Sequence, residues 1–177
     1  MTDFVRNTLR KLAGEADGAE IAEAAAVMPL MFMMILAIFW FGQAFSIYTT
    51  ITRAAQEGAR AGAAPVCTTC AAGNTPGANA YNAAQAVLVA AKLNPAKLQQ
   101  PSTVPSFTSC NGGPVTCDAT PTNVCVQENI QISSSTNNVC GISVSLQYPY
   151  QFWLPFTSLN KQLINLRAAA SVRQETM

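Results

Sequence analysis

The sequence predicts an α+β protein. A long N-terminal transmembrane helix extends into a small disulfide-bonded domain with a second helix and a three-stranded antiparallel sheet. Three observations predict it. No charged residue lies between Glu23 and Arg53, and the interval is rich in Val, Met, Leu, Ile, Phe and Trp. At about 1.5 Å per residue, Ala24 to Phe45 spans the ~30 Å hydrocarbon core of a bilayer. Second, all six cysteines, Cys67, Cys70, Cys110, Cys117, Cys125 and Cys140, lie C-terminal to that run. Third, strand-like runs separated by polar connections fill the last third of the chain.

Composition narrows the function before any motif is read. A chain of 177 residues suits one domain plus an anchor. Only 11% of residues are charged, against roughly one-quarter in a typical soluble domain. A net charge of +1, without a basic stripe, gives no reason to expect a nucleic-acid partner. There is no histidine, so the commonest general base and the commonest metal ligand are both missing. The balance leans away from catalysis.

The elements follow in order. Met1 to Asp17 carries Arg6, Arg10 and Lys11 against Asp3, Glu15 and Asp17. The positive-inside rule keeps those cations cytoplasmic and the C-terminal bulk outside, a bias diluted by Arg53 and Arg60 beyond the run. A secretory signal peptide would end in a small-residue cleavage site. Here the run continues into Phe39-Trp40-Phe41-Gly42-Gln43, so it is expected to stay on the protein as its lipid-facing anchor. Pro29 removes one backbone hydrogen bond early in the helix and predicts a kink or local loosening. Trp40 and Tyr48 suit the outer membrane interface. Thr49 to Ala63 still reads as helix, with Arg53 and Glu57 spaced for an ion pair, and Pro65 ends it.

Cys67 to Gly77 is turn-rich. Asn79 to Leu93 reads as the second helix, with Ala80, Ala83, Ala84, Val87, Leu88 and Ala91 on one face, closed by Asn94-Pro95. Gln99 to Thr122 is a long Pro/Ser/Thr/Gly loop that holds Cys110 and Cys117. Strands are expected at Val124 to Ile132 and at Val139 to Tyr150, where Ile142, Val144 and Leu146 alternate with polar residues. Polar Ser133 to Asn138 reads as the hairpin connection between them. Gln162 to Arg173 has helix propensity in its alanines, but its alternation through Leu163, Asn165 and Arg167 favours a third strand.

The chemistry that remains is sparse. An even cysteine count on one side of an anchor fits disulfides in an oxidising compartment and leaves every pairing open. Cys67-Thr-Thr-Cys70 also has zinc-ligand spacing, but no second such pair or histidine accompanies it. Asp118, Glu128 and Glu175 read as scattered, solvated carboxylates. The serines lack a base to activate them. No catalytic residue, cofactor, metal or small-molecule substrate is expected, and the chain reads as a structural or assembly protein.

The acids at the membrane threshold stand apart. A cut after Gly18 would make Ala19 the new N-terminus and Glu23 the fifth residue, one helical turn away. A carboxylate at membrane depth is costly unless paired. The partner would be the chain's own amine or that of a neighbouring subunit. Alternatively, Glu20 and Glu23 sit among headgroups and favour the helix N-terminus electrostatically. The residues alone leave both readings open.

The stretch from Gly18 to Ala63 resembles the N-terminal signature of the TadE-like minor pseudopilins of the tight-adherence, or Flp, type IV pilus. Gly18, Glu23, Pro29, Phe41-Gly42, Ala55, Gly58, Ala59, Arg60 and Ala61 match it in order, while Ala24 stands where the family commonly carries a bulky residue. Val144 to Tyr150 and Ala170 to Glu175 also look like the family's end. The resemblance implies a cytoplasmic leader at 1–18, cut between Gly18 and Ala19 by a prepilin peptidase. A transmembrane and emergent helix at 19–64 would follow, then an extracytoplasmic Cys-rich domain at 65–177. It further implies Glu23 and Pro29 as assembly residues and other pilins and pseudopilins of the tad machinery as partners. The implied location is the bacterial inner membrane, single-pass. A permanently anchored extracytoplasmic binding or adhesion protein is the alternative.

Overall fold

The structure, a computed structural model, describes residues 16–64, 75–118, 123–133, 139–151 and 163–174. Helix α1 runs from Ala16 to Ala63. Contacts divide the chain into one unit through Gln43 and another from Ala44, and α1 contributes to both. In the first unit its apolar side chains, among them Met28, Leu30, Phe32, Met33 and Phe41, are exposed. The most apolar window of α1 buries none of its residues, and the helix is long and apolar enough to cross a membrane. Pro29 does not divide it. One missing hydrogen bond is carried by the turns on either side.

The second unit is built on a change in α1's own composition. Large apolar residues give way to Ala and Gly after Tyr48. Ile51, Ala54, Ala55, Ala59 and Ala63, spaced at helical intervals, bury one face. They pack in one core with Ala80, Ala84 and Leu88 of α2 (Pro76–Ala90) and with Ile142, Val144 and Leu146 of β2 (Val139–Gln151). Just before this stretch the hydroxyls of Thr49 and Thr50 donate to Ser46 O, and that of Thr52 donates to Tyr48 O. These bonds satisfy polar side chains within the helix itself.

Helix α2 is shifted toward the N-terminus relative to its expected span. Thr75 caps it, its Oγ1 accepting from the Ala78 N–H at 3.1 Å, and Pro76 fills the first helical position. At the other end Leu93 N–H donates to Leu88 O and Lys92 N–H to Val89 O, both at 2.9 Å. That is a Schellman closure, and Lys92 takes the left-handed conformation (φ 58°) usually left to glycine. The helix therefore stops at Ala90, not Leu93.

Strands β1 (Cys125–Ser133), β2 and β3 (Leu163–Arg173) form one antiparallel sheet in the order β1-β2-β3. The third run is a strand, as its alternation indicates. It pairs with β2 without a break from Gly141↔Arg173 to Gln151↔Leu163. Strand β1 carries irregularities after Gln127 and after Gln131, with Asn129 at φ 54°. Asn tolerates that conformation better than most residues.

The central strand departs from the simple alternation. Ile142, Val144, Leu146 and Tyr148 face the helices, but Ser143, Ser145 and Gln147 between them are buried too. The loop between α2 and β1, read from sequence as an excursion, covers that second face and the free edge of β1. Cys110 N–H donates to Asn129 O, Asp118 N–H to Val126 O, and Gln131 N–H to Thr108 O. Gln127 Nε2 donates to the carbonyls of Pro105 and Val115, both at 3.3 Å. Where β1 stops opposite Ser145, Gln99 takes its place and exchanges two backbone hydrogen bonds with Gln147. An exposed edge is thereby closed.

Candidate functional site

Two regions compete for attention: the exposed apolar face of α1 and the disulfide-stapled loop. Gly18 and Ala19 lie within α1, in its first turn. An extended conformation at that bond therefore requires the helix end to unwind locally. Ends fray at small cost, and Gly has the lowest helix propensity after Pro. Glu23 is exposed on α1, one turn beyond Ala19, and pairs with no cation among the described residues. Pro29 is likewise exposed. Between Glu23 and Ile47 the described side chains are exposed or half-buried. The anchor thus presents an uninterrupted apolar surface with a carboxylate at its threshold.

Beyond it, the Ala-x-x-Gly-Ala-Arg-Ala segment acquires a physical role. A Cβ added at Gly58 would lie 2.9 Å from the Ala80 carbonyl of α2; one at Gly62 would lie 2.8 Å from Ile142 Cδ1 and 3.2 Å from the Pro76 carbonyl. Those glycines let α2 and the sheet approach α1 closely. Arg60 points outward and meets Glu57 at 3.3 Å. Glu57's partner is thus Arg60 and not Arg53, in a largely exposed pair that contributes little.

Two disulfides staple the loop, Cys110–Cys140 to the start of β2 and Cys117–Cys125 to the start of β1. Cys67 and Cys70 lie outside the described residues, as do Pro65, Glu175 and most of the expected hairpin connection. Among the described residues no group of three or more Cys, Asp and Glu side chains is arranged to hold a metal ion.

Two of the carboxylates depart from the scattered, solvated arrangement that the sequence suggests. Asp118 and Glu128 are not scattered: Asp118 follows the bridged Cys117, and the two carboxyl groups share a hydrogen bond. Both titrate above the ordinary carboxylate range. Burial is the main cause for each; the Asp118 charge and the proton that Glu128 donates to Asp118 add to the rise at Glu128. The Gly77 N–H, in the first turn of α2, donates to Glu128 and partly opposes the rise. That turn holds no acid of its own, and Glu128 supplies one from the sheet.

The comparison with known families bears on the helix. The model of the family described as TadE-like protein matches residues 18–60. The N-terminal part of this chain is TadE-like. The matched span starts at Gly18 and ends at Arg60, so it takes in the threshold acids, the exposed run and most of the small-residue face. The TadE-like match associates the chain with Tad pilus assembly and, with α1, with a membrane. No curated protein and no solved structure matches the chain.

Proposed function

We propose that this chain is a minor pseudopilin that acts in assembly of a tight-adherence pilus and has no catalytic activity of its own. The observation that carries the reading is the coincidence of the TadE-like span with an α1 whose apolar surface is uncovered from Glu23 to the domain. A helix that only anchors needs lipid around it. One that carries Glu23 at its threshold also needs a cationic partner, which a neighbouring subunit's new α-amine would provide.

On this reading residues 1–18 are a cytoplasmic leader, 19–64 the transmembrane and emergent helix, and 65–177 an extracytoplasmic domain. A prepilin peptidase of the inner membrane cuts between Gly18 and Ala19. The freed helix then packs laterally with pilins and other pseudopilins, with Glu23 setting the register and Pro29 loosening the turn above it. The domain lies on the periplasmic or extracellular side, where Cys110–Cys140 and Cys117–Cys125 form and persist.

The test is the N-terminal residue of protein extracted from membranes of cells with an active prepilin peptidase. Ala19 is expected. Met1 as the sole N-terminus overturns the maturation step. Gly18→Leu is expected to accumulate uncut protein, because a bulky side chain obstructs extended backbone at the cut. Glu23→Ala is expected to insert normally and fail in pilus assembly. Normal piliation with that variant would favour the permanently anchored binding protein instead.

A further inference from the structure

A cleft opens between the covering loop and β3, on the sheet face turned away from the helices. Its volume is about 350 Å³, at the small end of the range in which ligand sites occur. Pro101, Val104 and Pro105 wall one side, and Ser145, Arg167 and Ala169 form the other. All lie in the second unit, so the cleft does not depend on the role of the anchor.

Its polar side chains, Thr103, Ser145 and Arg167, can all donate. Arg167 stands opposite Gln147 on the neighbouring strand. Its Nε donates to Gln147 Oε1 at 3.2 Å, one terminal nitrogen donates to Thr103 Oγ1, and the other to Ser102 Oγ at 3.0 Å. A guanidinium has five N–H groups, so one remains on each terminal nitrogen. The three acceptors are neutral, and among the described residues no carboxylate forms an ion pair with Arg167. The cation is held in position without being neutralised. Ser102 and Thr103 accept from it and keep their own protons to give.

Ser145 is the second, independent observation. It is 2% exposed, lines the cleft, and its Oγ has no hydrogen-bond partner among the described residues. A buried hydroxyl without a partner is costly and calls for a reason. An acceptor brought by a ligand supplies one.

The geometry points to a carboxylate-binding cleft in which Arg167, the Thr103 hydroxyl and Ser145 receive a carboxylate carried on a small apolar body. The two unused N–H groups of one guanidinium match the two oxygens of one carboxylate. A single positive charge among neutral hydroxyls suits a monoanion and leaves a phosphate dianion half compensated. The proline and valine walls suit the short aliphatic part of a peptide. The carboxylate can come from a peptide's C-terminus or from an acidic side chain, and the two are separable.

The test uses the full chain in detergent micelles, with the arginine side-chain N–H groups followed by NMR. Four probes are titrated: N-acetyl-alanyl-alanine, its C-terminal amide, N-acetyl-glutamic acid α-amide, and inorganic phosphate. A saturable shift at the Arg167 Nε–H is expected from a carboxylate probe and none from the alanyl-alanine amide. A response to N-acetyl-alanyl-alanine alone assigns a chain terminus; one to the glutamate probe assigns an acidic side chain. Arg167→Gln should abolish binding, followed at the Ala169 amide. Ser145→Ala should weaken it about fivefold, the loss of one neutral hydrogen bond, while leaving the melting temperature unchanged or raised. That variant decides the matter if Arg167→Gln disturbs the loop. No saturable shift with either carboxylate, an equal response to the amide, tighter binding of phosphate, or full affinity in Ser145→Ala would overturn the assignment.

Discussion

At the scale of single residues, the Asp118–Glu128 pair makes a pH-dependent prediction whose sign can be worked out. Both carboxyls titrate above their ordinary values, chiefly through burial. A carboxyl raised in the folded state contributes stability that is full below its unfolded value and is lost as pH rises through the folded value. The domain should therefore lose stability on account of this pair as pH rises above about 4. Glu128→Gln keeps a donor for Asp118 and an acceptor for the Gly77 N–H while removing one charge. It should raise the thermal midpoint at neutral pH, flatten its fall with rising pH, and converge with the parent near about pH 4. Melts of the full chain in detergent check this, and a lower neutral-pH midpoint would refute it. In the sequence these acids look solvated because ten positions separate them across a loop of unknown pairing. What unites them is the Cys117–Cys125 bridge beside Asp118, and disulfide connectivity is not legible from cysteine spacing.

At the scale of elements, the emergent part of α1 is an argument about how closely helices approach. Ala54, Ala55, Gly58, Ala59, Gly62 and Ala63 present a surface almost free of side-chain bulk. Gly58→Ala tests whether proximity or propensity wins. Replacing a helical glycine by alanine gains about 1 kcal/mol of intrinsic helix propensity. At this site the new methyl would press on the Ala80 carbonyl, a backbone atom that moves only with α2. Gly58→Ala is expected to lower the domain's melting temperature despite the propensity gain. Gly42→Ala, where nothing lies within 4 Å of the added carbon, should leave it unchanged or raise it. Equal behaviour of the two variants, followed by circular dichroism, would remove the close-approach account. Most elements were legible because periodicity and charge-free length survive in a single sequence: α1, the three strands and the loop all stand near their expected limits. Helix α2 was misplaced by about one turn for local reasons. Thr75-Pro76 is a capping pair that also reads as a turn, and Lys92 closes the helix without the glycine that usually marks a stop. The second buried face of β2 was hidden for a different reason. Ser143, Ser145 and Gln147 spell a solvated face, and only the loop folded across them makes it an interior.

At the scale of the whole molecule, that covering loop must be held where hydrophobic burial alone does not hold it. It lies on serines and glutamines, bonds largely through backbone groups, and leaves Val104 and Pro105 exposed. Its attachment therefore falls to the disulfides, and the two are unequal. Cys110–Cys140 joins residues 30 apart in sequence, Cys117–Cys125 residues 8 apart. By the loop-closure relation these separations correspond to about 3.6 and about 2.5 kcal/mol of restricted unfolded-state freedom. Replacing Cys110 and Cys140 together by Ala should thus lower the urea midpoint more than replacing Cys117 and Cys125. The two lesions also differ in kind. Cys117 immediately precedes Asp118, and Cys125 lies three residues before Glu128, so their loss should alter the pH dependence described above, whereas loss of Cys110–Cys140 should leave that slope in place. Equal midpoints, or the reverse order, would mean that the loop is held by its backbone bonds to β1. A slope that follows the longer bridge would mean that the acid pair is positioned from β2 instead.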